Sequence, residues 1–270
     1  HADRGNAGGD GGAHACGRVL DRHRAGGVDG ERGAEVIHPL KGDPLYVGIV
    51  PAGLEPIALE EVRLLAPVIP RSKVIGIGRN YADHAKEFGN EVPAEPMMFL
   101  VPNTAVIGPG DPVVIPRGSA TVDYEGELAL VIGKICKDVR PEQAMECVWG
   151  YTCANDVSER TWQRGDGQWS RAKGFDTSKP LGPWIVTDLD PSALRLVTRR
   201  DGEVVQDGTT ADLVHDVATL VSYASTYFTL LPGDVILTGT PAGVGPVQAG
   251  QRVSVEIEGI GTLDNPFVRR

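Results

Sequence analysis

Histidine, paired cysteine and long apolar runs are what this chain of 270 residues has little of. Its four cysteines, Cys16, Cys136, Cys147 and Cys153, form no C-x-x-C pair, which argues against zinc-ribbon and thioredoxin-like chemistry and leaves reduced thiols. Only His84 and His215 lie beyond residue 40, too few imidazoles for a histidine-rich metal centre. No run approaches the ~20 apolar residues needed to span a bilayer, and no segment has the basic start and apolar middle of a signal peptide. The stretch GIGRNY departs from G-x-G-x-x-G, so the dinucleotide fingerprint is absent. Positive charge is also in deficit: the formal net charge is -10, which repels phosphate backbones and excludes nucleic acid as a partner. These absences predict a cytoplasmic protein with no membrane partner.

Turn formers are abundant, with 35 Gly and 20 Pro, and they predict many short strands rather than a helical bundle. Residues 1–40 stand apart, holding ten Gly and four His without period, and no strand or helix template fits before AEVIHPL. Beyond Asp43, LYVGIV, KVIGIG and DPVVIP read as strands. RNYADHAKEFGN has helical spacing with Gly89 as its stop. Apolar residues at 217, 220, 221, 224 and 228 fall on one helix face, and Val253, Val255 and Ile257 alternate as in a half-buried strand. The division expected is a small, partly irregular N-terminal segment over residues 1–69 and a catalytic domain over residues 70–270.

The segment TVDYEGELALVIGK contains a conflict. Leu128 to Ile132 is a continuous apolar run, the mark of a buried strand. Just before it, Asp123, Glu125 and Glu127 occupy every second position and so share one face, roughly 7 Å apart. Like charges at the edge of a low-dielectric interior repel. Three escapes exist: the face is wet, one acid is protonated, or a cation is bound. The adjoining LALVI run argues against a fully wet face. Asp156, at the end of the apolar strand VWGYTCA, is a candidate third ligand, and magnesium, manganese and calcium are the ions that choose oxygen donors.

Other segments add chemistry. His84 and Glu87 are three apart on a helix, hence on one face, where a carboxylate raises imidazole basicity and fixes its tautomer. Lys173 sits in a Gly-flanked stretch, RAKGFDTS, read as a loop where a cation meets an anion. The loop LTGTPAGVG exposes backbone N–H groups of the kind that bind carboxylate oxygens.

Taken together, GRNYADHAKE, YEGELALVIG, GYTCANDVSER, DGQWSRAKGFDTSKPLGPW and LLPGDVILTGTPAGVGP, in this order, resemble the fumarylacetoacetate hydrolase family over residues 70–267. The nearest resemblance is to bacterial members that act as 2-hydroxyhepta-2,4-diene-1,7-dioate isomerases, acylpyruvate hydrolases or oxaloacetate decarboxylases. The resemblance implies a β-rich α+β fold, a mixed β-sheet roll with few helices, usually as a homodimer. It implies a divalent metal, Mg2+ or else Mn2+ or Ca2+, on Glu125, Glu127 and Asp156. It implies catalytic roles for His84, Glu87 and Lys173 and substrate contacts from Arg79, Gln163 and Thr240. The implied substrate is a short 2-oxo or 2-enol (di)carboxylic acid, turned over through a metal-stabilised enolate by isomerisation, decarboxylation or C–C hydrolysis. A non-catalytic metal-binding β-protein is the alternative. Residues 1–40 do not resemble the family's N-terminal segment, and Lys179 stands where a small or apolar residue is expected.

Overall fold

A computed structural model describes residues 36–87, 89 and 91–269, with the strand backbones Ala13–Ala15 and Val19–Leu20. Cys16 lies outside the described residues.

Two sheets hold most of the described strand residues. In the larger, seven strands follow one another in the order Val19–Leu20, Lys179–Val186, Val148–Asn155, Gly126–Ile132, Val235–Leu237, Val74–Gly78 and Met97–Val101, and Val106–Ile107 pairs with Lys179–Val186 off this path. The second has five, Glu203–Thr209, Arg195–Arg200, Arg252–Ile257, Gly261–Arg269 and Val113–Ile115. A small sheet of three joins Ser158–Glu159, Val122–Tyr124 and Gly245–Pro246. Antiparallel and parallel pairings are mixed, as between Gly126–Ile132 and Val148–Asn155 (antiparallel) and between Val235–Leu237 and Val74–Gly78 (parallel). The β-rich fold with few helices matches what the sequence implies.

Gly126–Ile132 is central: it is buried along its whole length. Leu128, Leu130 and Ile132 pack with Leu196, Val255 and Ile257 of the second sheet and with the helix Val217–Tyr227. Ala129 and Val131 face the other way, against Val74, Leu181 and Leu237. Each fully buried Leu or Ile contributes about 1.5–3 kcal/mol, so this strand is fixed in register from both sides. Gly126 is required by close approach: a Cβ there would lie 2.0 Å from Thr198 Oγ1.

The helix Val217–Tyr227 buries Val217, Leu220, Val221 and Ala224, the face its spacing predicts, and Asp216 caps it by accepting from Thr219 N at 2.8 Å. Arg252–Ile257 buries Val253, Val255 and Ile257 in alternation. The structure corrects several local readings. LYVGIV is not a strand: Pro44–Val47 is a helix, because Asp43 accepts from Leu45 N and Pro44 occupies the first turn. The stretch before AEVIHPL does hold strands. Ala13–Ala15 pairs in parallel with Val62–Leu64, and Val19–Leu20 pairs with Ile185 and Val186. Among the described residues, no helix is long and apolar enough to cross a membrane.

Candidate metal and substrate site

The acidic segment changes sheets midway. Val122–Tyr124 belongs to the sheet of three and Gly126–Ile132 to the large one, and Glu125 lies at the break. There its N–H donates to Asn155 Oδ1 at 2.9 Å and its carbonyl accepts from Asp156 N at 2.8 Å. The pairing of Gly126 with Asn155 brings the end of Val148–Asn155 alongside. Asp156 is thus carried to the two glutamates by strand pairing. One oxygen from each of Glu125, Glu127 and Asp156 lies within 4.8 Å of the others, and all three residues are buried. Asp123 does not join them; its Oδ2 accepts from Arg160 Nε at 2.7 Å.

Three cations hold this cluster. Arg160 donates through Nη2 to Glu125 Oε1 at 2.6 Å and through Nη1 to Gln163 Oε1 at 2.8 Å. Lys173 bridges Glu125 Oε2 at 2.6 Å and Asp156 Oδ2 at 2.8 Å. Lys179 Nζ lies 2.7 Å from Asp156 Oδ1. Lys173 is therefore no loop residue at the solvent edge: it lies in the helix Ser170–Gly174 and is buried. Lys179, expected small or apolar, is a fully buried lysine at the start of Lys179–Val186.

Electrostatics divides the acids. Burial alone would raise the pKa of Glu125, but Lys173 and Arg160 outweigh it and hold the carboxyl well below the usual range. Glu127 is pushed well above its ordinary value, by burial and then by Asp156 and Glu125, with Lys173 and the Gly239 N–H, 2.7 Å from Oε2, opposing only in part. The lysines divide as well. Burial would lower Lys173, but Asp156 and Glu125 raise it; burial lowers Lys179 with Asp156 only partly offsetting. The protein's own cations do not offset the burial and repulsion that act on Glu127, where three buried oxygen donors converge. That donor set fits a hard dication such as Mg2+ or Mn2+.

A cavity of about 350 Å³ opens over the cluster. Its walls include Glu125, Glu127, Arg160 and Lys173, together with His84, Arg79, Gln163, Thr240, Arg164 and Trp169. His84 lies on the helix Ala82–Glu87 with Nδ1 3.5 Å from Glu87 Oε2. Burial lowers the imidazole pKa; Glu125 and Glu87 pull it up, and Arg160 and Lys173 push it down. The net lowering favours neutral imidazole, able to accept a proton. Glu87 also accepts from Gly243 N at 3.2 and 3.3 Å through its two oxygens, which ties the helix to the glycine loop. That loop binds carboxylates as its composition implies, but those of Glu127 and Glu87. Arg79 follows Val74–Gly78 with φ 58°, a left-handed conformation uncommon for a residue with a Cβ. The Thr240 hydroxyl donates to Gly126 O and accepts from Gln206 Nε2, both at 2.8 Å, so its side chain secures the strand as well as lining the cavity.

Sequence reading gave no site role to Arg160, Lys179, Trp169 or Arg164, though Lys179 stood out as a departure. Charge balance was the available signal for the first two: three clustered acids and a nearby Asp123, with one assigned lysine, need further cations.

Comparison with known proteins agrees with this geometry. Residues 73–268 match the family model "Fumarylacetoacetate (FAA) hydrolase C-terminal". The chain belongs to the fumarylacetoacetate hydrolase family. Within it, Protein Rv2993c of Mycobacterium tuberculosis is 55% identical over 215 residues, covering 78% of this chain and 81% of that protein. The crystal structure of 2-hydroxyhepta-2,4-diene-1,7-dioate isomerase from Mycobacterium marinum is 49% identical, with a TM-score of 0.81 over 88% of this chain and 89% of that one. Fumarylpyruvate hydrolase from Pseudomonas aeruginosa, solved in complex with Mn2+ and pyruvate, is 37% identical, with a TM-score of 0.71 over 76% of this chain and 91% of that one.

Proposed function

We propose that the protein is a divalent-metal-dependent enzyme acting on a short 2-oxo or 2-enol (di)carboxylic acid, by isomerisation, decarboxylation or C–C hydrolysis. The observation that carries this reading is one cavity lined together by the buried glutamates, Lys173 and His84. Glu125, Glu127 and Asp156 would hold the ion. When bound, it supplies Lewis-acid stabilisation of the negative charge that develops on a keto oxygen as a C–C or C–H bond breaks.

The chain's own groups do the rest. Lys173 adds positive charge beside that oxygen. His84, oriented by Glu87, takes a proton from water for C–C hydrolysis or moves one between substrate carbons for tautomerisation. Arg79 and Arg164 stand on the cavity wall as partners for substrate carboxylates, Gln163 is oriented by Arg160, and Thr240 holds the glycine loop in place. The Trp169 ring, edge-on to Phe99 at 5.3 Å between centroids, offers an apolar wall to a planar enol acid. The same reading takes residues 70–270 as the catalytic domain, residues 1–69 as a small N-terminal segment, and the protein as a cytoplasmic homodimer; family resemblance supports these. A non-catalytic metal-binding role leaves His84 and Arg79 on that cavity without a use.

The test is a panel of oxaloacetate, acetylpyruvate and a hydroxy-dienedioate, assayed with and without Mg2+. Turnover of at least one, lost in metal-free buffer and in Glu125→Gln, is expected. Unchanged turnover in Glu125→Gln would overturn the assignment of the cluster. His84→Ala should remove hydrolysis or proton transfer while metal affinity stays within a few-fold; collapse of metal affinity instead would remove His84 from its role.

A further inference from the structure

Lys179 is the largest of the fully buried side chains, and taking an ammonium out of water costs several kcal/mol. Four oxygens surround its Nζ: Asp156 Oδ1 at 2.7 Å, Ser178 O at 3.0 Å, Val157 O at 3.1 Å and Ser178 Oγ at 3.2 Å. An ammonium has three protons to donate, and Ser178 O, Val157 O and Ser178 Oγ accept them; the contact with Asp156 Oδ1 is an ion pair without hydrogen-bond geometry. Lys179 is not among the residues lining the cavity. It therefore reaches a substrate or ion only through Asp156.

What it does to Asp156 follows from the oxygens. Lys179 takes Oδ1, and Lys173 takes Oδ2 from the other side. Glu125 is shared out in the same way, Oε1 to Arg160 and Oε2 to Lys173. A cation chelated by both oxygens of either carboxylate would sit against two ammonium or guanidinium groups at once. A cation on one oxygen avoids the second. Ca2+ draws on two-oxygen carboxylate ligation to reach six to eight donors, whereas Mg2+ keeps to six and takes carboxylates through single oxygens.

We propose that Lys179 is a positioning residue: by holding Asp156 Oδ1 it confines Asp156 to one-oxygen ligation and tilts the acidic cluster toward small six-coordinate dications, Mg2+ or Mn2+, and away from Ca2+. This rests on the metal-site reading above and adds to it the origin of ion choice.

Calorimetric titration of the metal-free protein with MgCl2 and with CaCl2, in wild type, Lys179→Met and Lys179→Gln, tests it. Met removes the charge at nearly the same side-chain length; Gln removes it and leaves a shorter polar side chain. The expected result is a shift of the Mg2+-to-Ca2+ affinity ratio toward Ca2+ of about tenfold in Lys179→Met, and a shift in the same direction in Lys179→Gln. A loss of packing alone moves both ions together and leaves the ratio unchanged. An unchanged ratio in Lys179→Met, with both ions still bound, overturns the role of Lys179 and leaves the metal site standing. Wild-type protein that binds neither ion overturns both. Where the variants fail to fold, infrared spectra of the wild type decide: adding Mg2+ should give the wide carboxylate stretch separation of one-oxygen ligation, and a narrow, two-oxygen separation with Mg2+ overturns the proposal.

Discussion

Arg160 shows how one side chain can decide whether a buried acidic cluster is tolerable. Its guanidinium spans Asp123 and Glu125 from within the interior, 6% exposed. Removing one partner of such a network leaves uncompensated buried charge, at a cost of about 3–5 kcal/mol. Arg160→Met is expected to lose that much stability in urea unfolding. Arg160→Met combined with Asp123→Asn should lose less than Arg160→Met alone, since the orphaned acid is then neutral. A loss under about 1 kcal/mol in Arg160→Met would mean that Glu125 and Asp123 are held by other groups. This is also the scale at which the sequence was least legible. Glu125 and Glu127 announce themselves through spacing, because alternate residues of a strand must share a face. Arg160 and Lys179 do not: a long flexible cation meets its acid through tertiary contact, and no local period marks it.

Elements were legible where they are long and one-sided, as in Val217–Tyr227 and Arg252–Ile257, whose buried faces follow their apolar spacing. They were not where they are a single turn, as in Pro44–Val47 and Ser170–Gly174, since capping and tertiary contact outweigh composition there. The helix Arg160–Gly165, which presents Arg160 and Gln163 to the site, depends on such a cap. Glu159 accepts from Trp162 N at 2.6 Å, Ala120 N at 3.0 Å and Thr121 N at 3.2 Å, and from the Ser119 hydroxyl at 3.3 Å. Burial works to raise its pKa, but these donors together outweigh it, and the carboxyl is held below its ordinary value of 4.5. A carboxyl depressed in the folded state binds its proton more readily when unfolded. Its stabilisation is therefore complete above about pH 4.5 and disappears as pH falls toward the folded value. The stability difference between wild type and Glu159→Gln, expected near 1 kcal/mol at pH 7, should shrink on acidification from pH 5 to pH 3. Denaturant midpoints at a series of pH values measure it; a difference that grows in acid would contradict the cap's charge.

Over the whole molecule, the acidic cluster is where separate strands are brought to one point. Glu125 and Glu127 come from the central strand and its leading edge, Asp156 from just past the end of the strand on one side, and the Gly239 N–H that meets Glu127 from the loop after the strand on the other. An ion bound there engages only the folded arrangement, because the unfolded chain scatters the three donors. Mass action then stabilises the fold by RT ln(1 + [ion]/Kd), about 2.7 kcal/mol at a hundredfold excess over Kd. For a chain of 270 residues that is a rise in Tm of roughly 5–10 °C. Thermal melts across a MgCl2 series at constant ionic strength should show Tm climbing with the logarithm of concentration and EDTA reversing it. Glu127→Gln separates the ion from the fold. The amide is neutral, keeps an oxygen for the Gly239 N–H, and relieves the repulsion that raises Glu127, so without metal the variant should melt no lower than wild type. With Mg2+ it should show little or none of the rise. A Tm that ignores Mg2+ in the wild type, or a rise that survives in Glu127→Gln, would move the ion away from these three acids.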